Sequence, residues 1–246
     1  MLRMKRHTGQ LLSLFAVISV LTGCATGKDL DVTAAGSIHR IAVIAPSGPD
    51  RYLVGSNRSA YSVTGNGSIL GDIIKAGNAD NDTNRQFRTD LAKENLTLGA
   101  DIASAIEGVL HQDGYEVVSV SLPAKQPTKL HNDLSSLKGK ADAALDIAIL
   151  DAGYAYTTGR PYEPSVDVIV QLTDLRSQAV IFRRTYSYSR YKPDEGVTDE
   201  MISPTPGFDF KNGGALLQDP ARAAAGLRSS VPPIATRVGA TLNLKK

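Results

Sequence analysis

The fold the sequence predicts is an α+β domain built on a mixed or largely antiparallel β-sheet, with helices packed on one face. Three observations carry this. Residues 143–156, 166–175 and 180–191 are consecutive strand-like stretches, and the last two are joined by Leu175-Arg176-Ser177-Gln178, short enough for an antiparallel hairpin. Residues 98–112 form an amphipathic helical pattern between two short apolar runs. From Asp219 onward a helical apolar seam continues with no strand signal.

In chain order, Ile41-Ala42-Val43-Ile44-Ala45 is a branched apolar run stopped by Pro46-Ser47-Gly48-Pro49, which reads as a buried strand ended by a turn. Residues 51–63 read as a short hairpin with Gly55-Ser56-Asn57 as turn material. Gly65-Asn66-Gly67-Ser68-Ile69-Leu70-Gly71 reads as a glycine-rich turn entering a small helix. As a phosphate cradle it fails, because its third glycine is one position late and no lysine follows. Asp80-Asn81-Asp82-Thr83-Asn84 begins like a calcium loop. However, Arg85 stands where the turn glycine belongs and Leu91 where a bidentate glutamate belongs, so a solvated linker is expected.

Leu98, Ile102, Ile106, Val109 and Leu110 share one helical face, and Gly114 is placed to end that helix. Residues 115–122 then read as a strand stopped by Pro123, so strand, helix and strand suggest a β-α-β unit with an insertion at about 50–97. Residues 123–140 read as a polar loop. In 180–191, Val180, Phe182, Tyr186 and Tyr188 alternate with Arg183, Thr185, Ser187 and Ser189, the pattern of a sheet wetted on one side, with Arg184 breaking the apolar face. Residues 192–217, with Ser203-Pro204-Thr205-Pro206-Gly207, read as a long loop and a second insertion. Asp219-Pro220 has the form of an N-cap followed by proline at the first helical position, and Pro232-Pro233 must kink or restart the helix.

The N-terminus carries a different kind of signal. Arg3, Lys5 and Arg6 precede the apolar run of residues 11–21, which is short for a membrane span; together they form the basic and apolar regions of an export signal. Its removal leaves 24 basic and 25 acidic residues, a nearly neutral chain with no global field for nucleic acid or anionic lipid. Cys24 is the sole cysteine, which excludes a disulfide framework and a cysteine-ligated zinc. The expected organisation is a signal over 1–23, a tether over 24–37 and a single domain over 38–246.

Little in the chain points to catalysis. The histidines beyond the signal, His39, His111 and His131, have no metal-site spacing, and no Gly-x-Ser-x-Gly occurs. No cofactor and no metal are expected. Asp142, Asp146 and Asp151 lie near one strand, and paired carboxylates there could hydrolyse a glycosidic bond. The less ordinary feature is a set of tyrosines and arginines: Tyr154, Tyr156, Arg160, Tyr162, Arg184, Tyr186, Tyr188, Arg190 and Tyr191. Both residue types are enriched at binding hot spots. Core packing, a protein-partner surface and contact with carbohydrate or peptidoglycan are the three readings, with Tyr154, Tyr156, Arg184, Tyr186, Tyr188, Arg190 and Tyr191 as the candidate partner surface. The same surface leaves room for a homo-oligomer.

Leu21-Thr22-Gly23-Cys24 resembles the lipobox of bacterial lipoproteins. The resemblance implies diacylglyceryl attachment to the Cys24 sulfur, cleavage before it and acylation of the new N-terminus, giving the several chains that stable anchoring needs. Ala25 stands where such lipoproteins carry an aspartate for inner-membrane retention, which implies the periplasmic face of the outer membrane. The order of strands and helices over 38–244 is similar to envelope lipoproteins of the curli-secretion, penicillin-binding-protein-activator and Tol N-terminal-domain types. That resemblance implies a non-enzymatic accessory or assembly protein that binds other envelope proteins; a peptidoglycan- or glycan-binding protein or hydrolase is the alternative, and a small-molecule carrier a third. The short tether departs from the penicillin-binding-protein activators, and neither insertion has the lipid-facing alternation of a pore.

Overall fold

The computed structural model describes residues 27–49, 51–56, 82–120, 122–123, 125, 128–191 and 200–243. The expected export signal, Cys24, the 65–71 stretch and Asp80-Asn81 lie outside the described residues. The architecture is the expected α+β sheet with helices on one face. Its strands are β1 (Arg40–Ile44), β2 (Tyr52–Ser56), β3 (Glu116–Val120), β4 (Ala143–Tyr156), β5 (Glu163–Asp174), β6 (Val180–Tyr188) and β7 (Glu200–Ile202). They form one mixed sheet in the order β3-β1-β4-β5-β6-β7. The helices are α1 (Val32–Ala35), α2 (Asp82–Lys93), α3 (Leu98–Gln112), α4 (Gly213–Gln218), α5 (Pro220–Arg228) and α6 (Val231–Leu242).

The β-α-β reading holds: β1 and β3 pair in parallel with Ile41 opposite Val117, and α3 lies between them in sequence. Gly114, at φ 83°, ends α3 as the hydrophobic pattern requires. With it the Tyr115 amide donates to the Leu110 carbonyl and the Gly114 amide to that of His111, satisfying two of the helix's last acceptors. The hairpin also holds. β5 and β6 are antiparallel around Gln178 at φ 61°, with Asp174 accepting from the Arg176 amide at 2.7 Å.

β4 is the axis of the sheet. One edge pairs antiparallel with β5 along nearly its whole length. The other is shared by two parallel partners, β1 at Ala143–Asp146 and β2 at Ala152–Tyr156. A register shift between Ile149 and Asp151 bends the strand between the two. Beyond it Gly153 adopts φ 152°, and a Cβ there would lie 1.8 Å from the Leu53 carbonyl oxygen. Only a glycine lets β2 come this close.

The core fills the helix side of the sheet. Ile41, Val43, Leu145, Ile147, Val168, Val170 and Phe182 meet Ile102, Ile106 and Leu110 of α3 and Leu227, Ile234 and Val238 of the C-terminal helices, all essentially closed to solvent. Each such side chain contributes about 1.5–3 kcal/mol on burial. Asp219 caps α5 through the Arg222 amide at 3.1 Å, and Pro232-Pro233 fall in the first turn of α6, so the helix restarts there. A smaller core lies on the other face, where Leu134 and Leu137 cover Ala42, Ile44 and Ala144.

Four expectations are corrected. Residues 52–56 are a strand on β4, with Gly55 and Ser56 paired to Ala155 and Tyr156 instead of making a local turn; the rest of 51–63 lies outside the described residues. Asp82–Asn84 begin α2, and the buried Asn84 accepts from the Val54 amide at 2.6 Å, so these residues fix β2 and are not a solvated linker. The 192–217 segment contains β7 and α4; Asn212 caps α4 through the Ala215 amide at 2.9 Å, which the glycines after it had masked. The segment expected to be a tether is docked on the sheet from Lys28 on. Lys28 and Arg183 exchange backbone hydrogen bonds at 2.7 and 2.9 Å, the Asp31 amide donates to Ile181, and Ala35 and Ile38 are buried.

Candidate functional site

The tyrosine and arginine set divides cleanly. Tyr154, Tyr186 and Tyr188 are wholly buried, and alternation along β4 and β6 places them on the helix side. They are core side chains and leave the candidate surface. Their hydroxyls, with that of Tyr115, tie the sheet to the C-terminal helices. Tyr154 donates to the Ala223 carbonyl at 3.2 Å, Tyr186 to Thr241 Oγ1 at 3.2 Å and Tyr115 to the Leu242 carbonyl at 2.8 Å. Tyr188 bonds Ser229 Oγ at 2.9 Å and accepts from the Thr205 amide at 2.6 Å. A tyrosine buries a large apolar body while its hydroxyl keeps a partner. Burial also pushes the Tyr154 hydroxyl well above its ordinary pKa, so it stays a donor.

Arg184 serves the edge of β6. It lies 5.7 Å from the centre of the Phe182 ring, donates to Asp29 at 2.7 Å and sits 3.6 Å from Glu200. One guanidinium thus joins the docked N-terminal segment, β6 and β7.

The remaining members meet at the far end of the sheet, around the turn from β4 to β5. Tyr156 and Tyr162 stack with ring centres 4.3 Å apart at 25°. The turn is shaped by Gly159 at φ 76°, and Tyr162 is held by a two-bond backbone bridge to Phe210, both bonds 2.8 Å. Tyr191 donates to the Pro161 carbonyl at 2.9 Å. Arg160 and Lys211 are exposed beside the stack, and with Tyr156, Thr158, Pro161 and Tyr162 they line an open groove of about 590 Å³.

Glu163, which sequence reasoning missed, stands behind this corner. Its Oε1 is 2.9 Å from Arg190 Nη1, while its Oε2 is buried without a hydrogen-bond partner among the described residues. Burial raises its pKa, and Arg190 opposes this. The signal available was Arg160-Pro161-Tyr162-Glu163-Pro164, a carboxylate between two prolines at the start of an apolar strand. Burial likewise raises the hydroxyls of Tyr162, with Tyr156 adding to it, and of Tyr191, with Glu163 adding to it.

The three aspartates have separate structural tasks. Asp142 accepts from the His39 and Arg40 amides, both at 2.9 Å. Burial alone would raise its pKa, but these bonds and the charge of Arg176 bring it below the ordinary value. It lines a cleft of about 380 Å³ with Arg40, Glu116, Lys138 and Arg176. Asp146, fully buried, receives Lys125 Nζ and the His131 amide, with His131 Nδ1 at 3.1 Å. Burial lowers the Lys125 pKa and Asp146 counters it. Asp151 is nearly closed to solvent and faces Asp167 across the β4–β5 pair, and Asp167 accepts from Ser187 at 2.5 Å. Asp146 and Asp151 are roughly 16 Å apart along the strand at about 3.3 Å per residue, too far for a glycosidase pair. The polar face expected to be wet is also buried, with Thr185, Ser187 and Ser189 each under 5% exposed.

His39 contributes its backbone and His111 lies at the end of α3. Among the described residues, no group of three or more histidine, cysteine or acidic side chains is placed to hold a metal, and no helix is long and apolar enough to cross a membrane.

No protein-family model and no curated protein matches the chain. Several solved structures are similar to the chain at low identity. A Xanthomonas campestris protein of family model DUF330 is 14% identical with a TM-score of 0.35 over 58% of this chain, which spans 60% of that protein's length. A PelC dodecamer from Paraburkholderia phytofirmans is 11% identical with a TM-score of 0.30, over 82% of this chain and 93% of that one. A hypothetical protein from Chlamydia trachomatis is 12% identical with a TM-score of 0.30, over 82% and 96% of the two chains.

Proposed function

We propose that this chain is a lipid-anchored accessory or assembly protein of the bacterial cell envelope, held on the periplasmic side of the outer membrane through Cys24, that binds other envelope proteins and carries out no catalysis. The anchor rests on the basic start, the apolar run and Leu21-Thr22-Gly23-Cys24. The observation that carries the binding role is the corner at the β4–β5 turn. Tyr156, the last residue of β4, and half-buried Tyr162, which packs against the edge of the core, stack there beside exposed Arg160 and Lys211. Aromatic rings and arginines are the usual anchors of protein–protein contacts.

The test is a photo-cross-linking residue at Thr158 in intact cells, with one at exposed Ser104 of α3 as control. Discrete protein adducts from position 158, absent at 104 and lost in Cys24→Ala, are the expected result. No adducts from 158 would refute the binding role. The stacked tyrosines also favour a second reading, a platform for a sugar ring; retention of the purified domain on peptidoglycan fragments, abolished by Tyr156→Ala, would support that reading instead.

A further inference from the structure

We infer that the outer edge of β6, formed by the docked segment Lys28–Asp31 and by β7, lies against the bilayer that holds the acyl chains, so that the anchor orients the domain as well as retaining it. The inference rests on the lipidation reading of Cys24 and adds to it the face that meets the lipid.

Two independent observations carry it. The first is the length of the leash. Lys28 is fixed to Arg183 by two backbone bonds, Asp31 to Ile181 by one, and Asp29 to Arg184 by an ion pair. Cys24 is four residues before Lys28, and four residues reach at most about 14 Å even when fully extended. The sheet spans five inter-strand spacings from β7 to β3, about 24 Å at roughly 4.8 Å each. The acyl chains therefore cannot leave the β6 side of the domain, and the β3 edge cannot turn toward the same membrane without undocking the segment.

The second is where apolar surface is exposed. Among the described residues the exposed large apolar side chains are Val32 and Met201, 66% and 37% exposed. Val32 directly follows the docked segment, and Met201 is in β7, paired with Ser187 of β6. Both thus flank the point at which the leash enters. Around them Lys28, Asp29, Glu200 and Arg237 mix both signs. That suits an edge held at an interface by lipid chains and shallow apolar contacts rather than by attraction to anionic headgroups.

The experiment uses the acylated protein in vesicles of phosphatidylethanolamine and phosphatidylglycerol containing lipids with spin labels on their acyl chains. Acylated Cys24 has no free thiol, so Val32→Cys, Met201→Cys and Ser119→Cys each offer one site for an environment-sensitive fluorophore. Ser119 is exposed on β3, at the opposite edge. Quenching at 32 and 201 at least threefold that at 119 is expected, and inserting twenty glycine and serine residues between Thr26 and Gly27 should abolish the difference. Equal quenching at the three positions in acylated protein overturns the inference and leaves the lipidation reading standing. A gradient that survives the insertion overturns the short leash as its cause. Mass analysis of the N-terminal peptide reports the premise separately: a Cys24 without acyl groups removes both.

Discussion

Replacing Gly153 by alanine tests whether β2 owes its place in the sheet to one missing methyl group. The added Cβ would lie 1.8 Å from the Leu53 carbonyl oxygen and 2.7 Å from both the Leu53 nitrogen and carbonyl carbon, where real contacts essentially never fall below 3.0 Å. All three obstacles are backbone, so no rotamer change relieves them, and β2 must shift by roughly 1.2 Å or more. Such a shift takes normal ladder bonds of about 2.9 Å out of hydrogen-bonding range. Roughly four or five bonds at about 0.5–1.5 kcal/mol each, with about 1 kcal/mol for alanine at positive φ, give a loss of about 3–8 kcal/mol, large against a domain stability of about 5–15 kcal/mol. The chain avoids part of that loss by releasing β2. Urea denaturation should therefore show lower stability, and hydrogen exchange should show residues 52–56 unprotected while β5 and β6 stay protected. Gly55→Ala, in β2 itself but with open space around it, should stay within about 0.5 kcal/mol of the parent. Retained protection of 52–56 in Gly153→Ala, with stability within 0.5 kcal/mol of the parent, would refute the reasoning.

Two further substitutions probe the aspartates. Asp146→Ala leaves Lys125 without its carboxylate in a site where that side chain is 8% exposed, and should destabilise the domain by about 3 kcal/mol or more in denaturant titration. Asp146→Asn, which keeps an acceptor, should cost less. Asp142→Ala removes the acceptor of two backbone amides and should cost about 1–2 kcal/mol at neutral pH. Because the folded-state pKa of Asp142 is depressed, its contribution is present above the unfolded value of about 3.9 and is lost as pH falls through the folded one. Stability curves of parent and variant should converge below about pH 4 and stay separated above it; separation that does not narrow in acid would contradict the assigned role.

What the sequence disclosed follows from where each signal resides. β1, α3, β3 and the β5–β6 hairpin were legible because their instructions are local: a branched apolar run, a 3.6-residue seam ended by Gly114, and a four-residue turn. β2 and β7 were not, because β2 is held by β4 about a hundred residues further on and β7 has only 3 residues of its own. The site divided in the same way. Alternation put Tyr186 and Tyr188 on one face of β6, but only the packing of α5 and α6 decides that this face is core. Tyr156 and Tyr162 were noticed as residue types, yet their stack depends on the bridge from Phe210 to Tyr162, some fifty residues on, which no period encodes. Lys125 and His131 sit in a loop without periodicity, so their convergence on Asp146 left no trace in the sequence.

The docked segment has a mechanical consequence. It runs antiparallel to β6, with Lys28 opposite Arg183 and the Asp31 amide donating to the Ile181 carbonyl, so its hydrogen bonds stand across the strand direction. Tension applied at residue 27 along β6 loads those bonds and the Asp29–Arg184 ion pair together, in shear, and they resist as a group. Tension applied outward from the sheet reaches the Lys28 bonds first and opens the attachment in sequence, like a zipper. The same few bonds thus make a stiff coupling to sideways drag and a compliant one to lifting, and the direction of the load sets how much force residue 27 can transmit before the docked segment peels away.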